Sequence, residues 1–166
     1  MKRFLLWLWR VLPMTRGMQF AALWRLNQKF LLGVIGVVVD DAGRVLLLKH
    51  SYRNEFPWGL PAGWARRGEQ PEETIIRELR EEVDLRVRVV SVLDARIDPT
   101  LPRTDLTLLC RPVGHPAGSA GRLCPRDTEI LEAGFYRLGE FPGVIIPAQE
   151  EVLRRGLTAL GFDRNT

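Results

Sequence analysis

The sequence predicts an α/β domain in which a mixed β-sheet is held between helices, preceded by a helical N-terminal extension. Three observations support this fold class. Apolar runs typical of strands begin near residue 33, a glutamate-rich segment with helical spacing interrupts them, and a second helical pattern closes the chain. Strands on both sides of a helix, with another helix last, are typical of a sheet packed between helices.

The size of the chain fits one domain. It has 166 residues, of which 46% are hydrophobic, so it can bury a core of its own. We assign residues 1–31 to the basic helical extension and residues 32–166 to the domain. The cysteines, Cys110 and Cys124, have no second pair and no nearby histidine, a pattern that fits neither a zinc site nor a disulfide framework. We therefore expect free thiols in a reducing, cytoplasmic compartment.

The positive charge is concentrated in the N-terminal extension. Residues 1–39 contain no acidic residue and six basic ones: Lys2, Arg3, Arg10, Arg16, Arg25 and Lys29. The whole chain carries +4, so the remainder of the chain carries −2. The extension also holds three of the five tryptophans: Trp7, Trp9 and Trp24.

Two interpretations of this extension stay open. It lacks the cleavage site of a secretory signal, and no uncharged stretch approaches the roughly 20 residues that span a bilayer. Two short amphipathic helices broken near Pro13 fit the pattern better. Their apolar side would pack on the domain or on a second copy of the chain. Alternatively, tryptophan beside Arg and Lys suits peripheral contact with an anionic membrane surface.

Strand-like runs occupy most of the domain. The runs "GVIGVVV" and "RVLLLKH", separated by the turn "DDAG", predict a β-hairpin. The Pro- and Gly-rich stretch "SYRNEFPWGLPAG" predicts a loop. Three further runs, "RVRVVSVLDARI", "TDLTLLCRPV" and "AGFYRL", predict strands, and "PAQEEVLRRGLTAL" predicts a helix that begins at Pro147.

The glutamate-rich segment predicts a helix that begins at about residue 71. Proline is favoured at the first helical position, and Glu72 and Glu73 complement the positive end of the helix dipole. An apolar stripe for docking follows at helical spacing: Ile75, Ile76, Leu79 and Val83.

Three carboxylates border that stripe. At 100° per residue, Glu78, Glu81 and Glu82 fall within an arc of about 100°. Glu69 would add a fourth if its loop folds back. Clustered carboxylates repel unless a cation neutralises them, and Mg²⁺ and Mn²⁺ prefer oxygen ligands. The alternative is an ordinary exposed helix whose glutamates pair with Arg77 at four-residue spacing.

The segment resembles the Nudix box. That pattern has glycine, then glutamate after five residues, then Arg-Glu-aliphatic-x-Glu-Glu after seven more, and finally x-Gly-aliphatic. The chain matches it at Gly63, Glu69, Arg77, Glu78, Leu79, Glu81, Glu82 and Leu85. Asp84 stands in place of the second glycine. Because aspartate tolerates left-handed backbone better than most residues, we expect the helix end to survive.

The resemblance implies a Nudix-type α/β/α sandwich and a metal-dependent pyrophosphohydrolase. The substrate would be a nucleoside diphosphate linked to another moiety, such as a nucleotide sugar or ADP-ribose, or a non-standard nucleoside triphosphate. Water would attack phosphorus with the help of Mg²⁺, or alternatively Mn²⁺. The implied metal ligands are Glu78, Glu81, Glu82 and the backbone carbonyl of Gly63. Arg77 would orient the glutamates.

The remaining site assignments lie outside the box. Glu129 is the expected general base, and Glu132 is the near alternative. Arg53 is expected to pair with phosphate and Trp58 to stack on a base, although aromatic residues near a proline-rich turn also serve as packing. The expected partner is a small nucleotide-type molecule, with no stable nucleic-acid partner. A non-catalytic, nucleotide-sensing module is the alternative function.

Overall fold

The computed structural model describes residues 15–114, 122–123 and 125–162. Residues from Leu31 onward form one compact unit, and the helix before it belongs to another. In chain order the elements are α1 (Arg16–Leu26), β1 (Leu31–Val38), β2 (Val45–His50), β3 (Trp58–Gly59), β4 (Ala62–Trp64), α2 (Pro71–Val83), β5 (Val87–Ile97), β6 (Arg103–Pro112), β7 (Arg122–Leu123), β8 (Ile130–Tyr136) and α3 (Pro147–Ala159).

Helix α1 differs from the predicted amphipathic helix. The Thr15 hydroxyl caps its first turn by accepting a hydrogen bond from the backbone N–H of Met18, at 3.4 Å. Apolar residues lie on every side of the helix, so the predicted one-sided apolar face is wrong here. Phe20 and Trp24 stack with ring centroids 6.2 Å apart. The helix predicted before Pro13 lies outside the described residues.

No helix in the described part of the chain is long and apolar enough to cross a membrane.

The domain contains two four-stranded sheets. The first has the order β4-β1-β6-β5 and is mixed, because β1 and β6 run parallel whereas the outer pairs are antiparallel. The second has the order β3-β2-β8-β7 and is antiparallel throughout. The α/β class and the mixed sheet are confirmed. The second sheet was not predicted.

The predicted hairpin between the first two strands is wrong. A tight turn does join them, with the N–H of Asp40 bonded to the carbonyl of Arg44 at 3.0 Å and Gly43 at a φ of 70°. Beyond the single bridge between Val39 and Val45, however, β1 and β2 enter different sheets. Each strand is central in its own sheet, with a neighbour on both edges. Residues of both strands belong to two different apolar clusters, so both faces are covered, which explains why both runs are continuously apolar.

Two apolar clusters fill the interior. One joins α2 to the strands through residues such as Ile75, Leu79 and Leu108, and the other joins α3 through Leu153 and Leu157. The helices thus cover different parts of the strand framework, as the sandwich prediction requires. Cys110 lies in the first cluster, where burial raises the pKa of its thiol to about 12, and it is a free thiol as predicted. Cys124 lies outside the described residues.

Helix α2 begins and ends where the sequence indicates. Pro71 is its first residue, and the N–H of Gln70 donates to the Glu73 carboxylate at 2.9 Å. At the other end Asp84 adopts left-handed backbone, with φ 54° and ψ 31°, and its N–H bonds to the Arg80 carbonyl. The expectation that the helix end survives with Asp84 in place of glycine is therefore confirmed. Leu85, the next residue, is buried.

The left-handed backbone at Asp84 predicts a difference between two substitutions. Asp84→Gly and Asp84→Ala both remove the exposed ion pair with Arg126, so they differ chiefly in backbone preference. Glycine adopts this conformation without steric cost, whereas alanine does not. We expect the free energy of unfolding of Asp84→Gly to exceed that of Asp84→Ala by about 1 kcal/mol. Urea unfolding of both variants would measure it, and equal values would contradict the prediction.

Candidate functional site

An open cleft of about 730 Å³ lies beside α2. Its walls come from β1, β4, α2, β6, the start of α3, the loop after β2 and the loop before β8. Five carboxylates line it: Glu78, Glu82, Asp105, Asp127 and Glu129. Arg53 lies on the same cleft and brings a positive charge. The cleft therefore combines clustered acids with a cationic group, as a site for a metal ion and phosphates would require.

Glu82 is the most perturbed of these acids. Its Oε2 atom is buried and has no hydrogen-bond partner among the described residues. Burial, followed by the charges of Glu78, Asp127 and Glu129, raises the pKa of Glu82 to about 8 against the opposing effect of Arg53. A carboxylate in this position is unfavourable without a cation beside it.

Gly63 allows the helix to approach strand β4. A Cβ atom built at this position would overlap the carboxylate of Glu78. The glycine is therefore required by the close passage of a glutamate side chain over the backbone, and not by an unusual φ. This contact brings the Gly63 backbone to the same cleft wall as Glu78.

Arg77 forms the centre of a hydrogen-bond network on α2. Its Nε donates to Glu69 and one terminal nitrogen donates to Glu78, each at 2.7 Å. That nitrogen also reaches Glu81 at 3.2 Å, and the other donates to the carbonyl of Trp64 at 3.2 Å. The guanidinium thus fixes three glutamates and the strand beside them, as an orienting residue would.

The structure does not bring Glu69 and Glu81 into the cleft. Glu69 is held by Arg77, the Arg66 N–H and the Thr74 hydroxyl. Glu81 contacts Arg77 and Arg66, and its side chain is 49% exposed. Within the ranges the structure describes, no three His, Cys, Asp or Glu residues converge closely enough to hold a metal ion as they stand. The predicted ligand set is therefore only partly assembled, with Glu78 and Glu82 inside the cleft.

The loop before β8 contributes two acids, of which the sequence analysis identified one. Glu129 lines the cleft, and its carbonyl accepts from the Ser51 N–H at 2.8 Å. Asp127 was missed. Its carboxylate accepts from the Glu129 N–H at 3.0 Å, so it also shapes the turn. The sequence did contain a signal for Asp127, because it is an aspartate two residues before the candidate base Glu129 and just ahead of a strand.

The alternative base, Glu132, lies elsewhere. It is the third residue of β8 and forms an ion pair with Lys49 of β2 at 2.7 Å. It does not line the cleft. The structure therefore separates the two candidates that the sequence left close together.

The two predicted substrate-binding residues have different surroundings. Arg53 lies in the cleft, and its buried Nη1 has no hydrogen-bond partner among the described residues. A Cβ atom at Gly59 would come within 2.6 Å of that nitrogen, so the glycine leaves room for the guanidinium. Trp58 instead packs in the core at 4% exposure, edge-on to Tyr136. The stacking role predicted for Trp58 does not fit this burial.

Comparison with known proteins identifies the family. Residues 29–156 match the NUDIX domain, and the chain belongs to that family. The NAD-capped RNA hydrolase NudC of Pseudomonas fluorescens is 29% identical over 121 residues, which cover 71% of this chain and 40% of that protein. The MutT-like protein of Streptomyces ambofaciens is 33% identical over 81 residues, covering 49% and 51%. The chain thus spans about half the length of these curated relatives or less.

A solved structure shows the same fold. The crystal structure of the NUDIX hydrolase from Nitrosomonas europaea aligns with a TM-score of 0.68 at 19% identity, covering 84% of this chain and 77% of that one. The resemblance drawn from the glutamate-rich segment is confirmed, and so is the α/β/α class that it implied.

The Glu69–Arg77 contact predicts an acid-dependent contribution to stability. The hydrogen bond from Arg77, followed by that from the Arg66 backbone, lowers the pKa of Glu69 from 4.5 to about 2. A lowered pKa in the folded state stabilises the protein above pH 4.5, and this contribution is lost as pH falls toward 2. We therefore expect Glu69→Gln to be less stable than wild type at pH 6, and we expect this difference in the free energy of unfolding to be clearly smaller at pH 3.

Urea unfolding at the two pH values would test this expectation. Glu72→Gln, an exposed change in the first turn of the same helix, is the matched control. A stability difference between Glu69→Gln and wild type that stays constant from pH 6 to pH 3 would contradict the assigned role of the ion pair.

Proposed function

We propose that the protein is a metal-dependent pyrophosphohydrolase. The substrate is a nucleoside diphosphate linked to another moiety, such as a nucleotide sugar or ADP-ribose, or a non-standard nucleoside triphosphate. The observation that carries this proposal is the buried Glu82 carboxylate, whose Oε2 atom has no hydrogen-bond partner among the described residues, on a cleft lined by four other acids and the cationic Arg53. Membership of the NUDIX domain family supports it.

The donor set fits a hard divalent cation, Mg²⁺ or Mn²⁺. Glu78 and Glu82, with the backbone carbonyl of Gly63, are the groups we assign to it. Glu81 was also expected to be a ligand, but its ion pairs with Arg66 and Arg77 would have to break before it could bind the cation. When bound, the cation neutralises the carboxylates and polarises the phosphate oxygens.

Side chains of the protein bind the phosphate, accept the proton and hold the metal ligand in place. Arg53 holds a phosphate of the substrate through its free N–H groups, because a guanidinium donates to two oxygens at once. Water attacks phosphorus, the bond from phosphorus to the bridging oxygen breaks, and the Glu129 carboxylate accepts the proton that the water loses. Arg77 keeps Glu78 in place through their hydrogen bond.

The partner we propose for this site is a small nucleotide-type molecule. Five acids line the cleft, and residues 40–166 carry −2 overall, which does not favour a nucleic-acid backbone except where a cation intervenes. The N-terminal extension takes no part in hydrolysis in this proposal. Its expected partner is a second copy of the chain, in preference to a membrane surface.

Removing the charge of Glu82 should abolish most of the turnover. We expect Glu82→Gln to lower kcat by at least about a hundredfold, because an amide oxygen binds a divalent cation more weakly than a carboxylate. Glu72→Gln removes the same charge from an exposed position of α2 and should stay within about twofold of wild type. Wild-type turnover of Glu82→Gln at saturating Mg²⁺ would refute the site assignment.

The assay is phosphate release from the full chain with Mg²⁺ or Mn²⁺ and a coupled phosphatase. The substrate panel contains nucleoside triphosphates, ADP-ribose, dinucleoside polyphosphates, nucleotide sugars and CDP-alcohols. Metal-dependent release from one class would establish the reaction and name the substrate. Nucleotide binding without release from any class would instead support the sensing function.

The two candidate bases give a second, separate test. We expect Glu129→Gln to lower kcat by about a hundredfold or more, because the proton acceptor in the cleft is lost. Glu132→Gln should stay within a few-fold of wild type, since its partner is Lys49 outside the cleft. The reverse ranking of the two variants would assign the base to Glu132.

A further inference from the structure

We infer that Arg66 is a positioning residue that holds Glu81 outside the cleft and so sets the concentration of divalent cation at which the site fills. This inference rests on the proposed function, because the cation is the one that the proposed hydrolysis requires. Arg66 is not among the residues that match the Nudix box. It follows Gly63 by three positions, in the loop between β4 and α2.

The carboxylate of Glu81 is held through one oxygen. Its Oε2 atom accepts from a terminal nitrogen of Arg77 at 3.2 Å and from Nη2 of Arg66 at 3.4 Å. Glu78 and Glu82 line the cleft, whereas Glu81 does not. The two arginine contacts therefore fix the direction in which the side chain of Glu81 points, away from the other two carboxylates.

The two arginines differ in how firmly they are committed. The side chain of Arg77 is 16% exposed, and the nitrogen that reaches Glu81 also donates to Glu78 at the shorter distance of 2.7 Å. The side chain of Arg66 is 64% exposed, and Glu81 is its one ion-pair partner among the described residues. Arg77 thus belongs to the frame of the helix, and Arg66 supplies the contact that can be broken without disturbing that frame.

The backbone of Arg66 is fixed even though its guanidinium is not. Its N–H donates to the Glu69 carboxylate at 2.9 Å, and its carbonyl accepts from the Glu69 N–H at 3.0 Å. Glu69 is in turn held by Arg77 at 2.7 Å. Arg66 also lines the cleft. Its guanidinium can therefore leave Glu81 by rotation of the side chain alone, while the loop stays in place.

Repulsion explains why Glu81 is held away from the cleft. A third carboxylate beside Glu78 and Glu82 is unfavourable until a cation neutralises the group. The cation and Arg66 therefore compete for Glu81. The apparent affinity of the cation is lowered by the fraction of molecules in which Glu81 is already released. Because solvent screens an exposed ion pair, the effect of this competition is a few-fold change in affinity.

The experiment measures Mn²⁺ binding to the full chain without nucleotide. The electron paramagnetic resonance signal of free Mn²⁺ gives the bound fraction, and the sites that disappear in Glu82→Gln are the ones counted. We expect Arg66→Ala to bind Mn²⁺ about threefold more tightly than wild type. A residue that only supported the fold would give weaker binding when removed. Unchanged or weaker binding would overturn the inference.

Arg67→Ala is the matched control. Arg67 is the adjacent residue, carries the same charge and is exposed, but it does not line the cleft. Its removal should change Mn²⁺ affinity by less than about 1.5-fold, because solvent and salt screen a charge that makes no direct contact. An equal gain in Arg67→Ala and Arg66→Ala would overturn the inference, since the gain would then reflect net charge alone.

A double-mutant cycle tests whether Arg66 acts through Glu81. In the Glu81→Gln background there is no carboxylate for Arg66 to hold. Arg66→Ala should therefore change Mn²⁺ affinity by less than about 1.5-fold in that background. The same threefold gain with and without the Glu81 carboxylate would overturn the assignment, because Arg66 would then act on another group.

A second substitution guards against an uninformative loss of folding. Arg66→Gln removes the charge but keeps most of the side-chain stem, and it should give the same gain as Arg66→Ala. If neither variant binds Mn²⁺ more tightly, the inference is wrong even where hydrolysis is observed. A gain without hydrolysis of any substrate would retain the inference and refute the proposed function. Absence of Mn²⁺ binding to the wild-type chain would refute both.

Discussion

Mutual repulsion among carboxylates is the constraint on which the arrangement of this site depends. Four glutamates stand at the positions of the box, and one guanidinium offsets three of them. Arg77 holds Glu69, Glu78 and Glu81, whereas Glu82 has no ion pair with any residue that the structure describes. The network therefore stabilises the helix and its preceding loop, while the uncompensated charge remains in the cleft, where a cation would be bound most favourably.

The backbone brings the other acids to Glu82. The carbonyl of Glu82 accepts from the Arg126 N–H, and the carbonyl of Glu129 accepts from the Ser51 N–H, both at 2.8 Å. The loop before β8 is thus fixed to the end of α2 and to the end of β2. Asp127 lies between these two attachments and bonds the Glu129 N–H. The positions of the loop acids follow from backbone hydrogen bonds, so they do not depend on the charges they carry.

Short-range features of the protein were determined by the sequence itself. Pro71 and the stripe from Ile75 to Val83 indicated the limits of α2, and Asp84 took the left-handed conformation that its place required. The spacing of the glutamates also identified the family, because helical geometry relates such positions without reference to the rest of the fold.

Only the tertiary structure decided which groups meet. It sent β1 and β2 into different sheets, buried Trp58 in the core, turned Glu81 toward Arg66 and Arg77, and added Asp127 to the cleft. A continuous apolar run does not reveal which edge of a strand is already paired, and a glutamate's spacing does not reveal which arginine will reach it. These outcomes depend on contacts between segments far apart in the chain, and local propensity carries no information about such contacts.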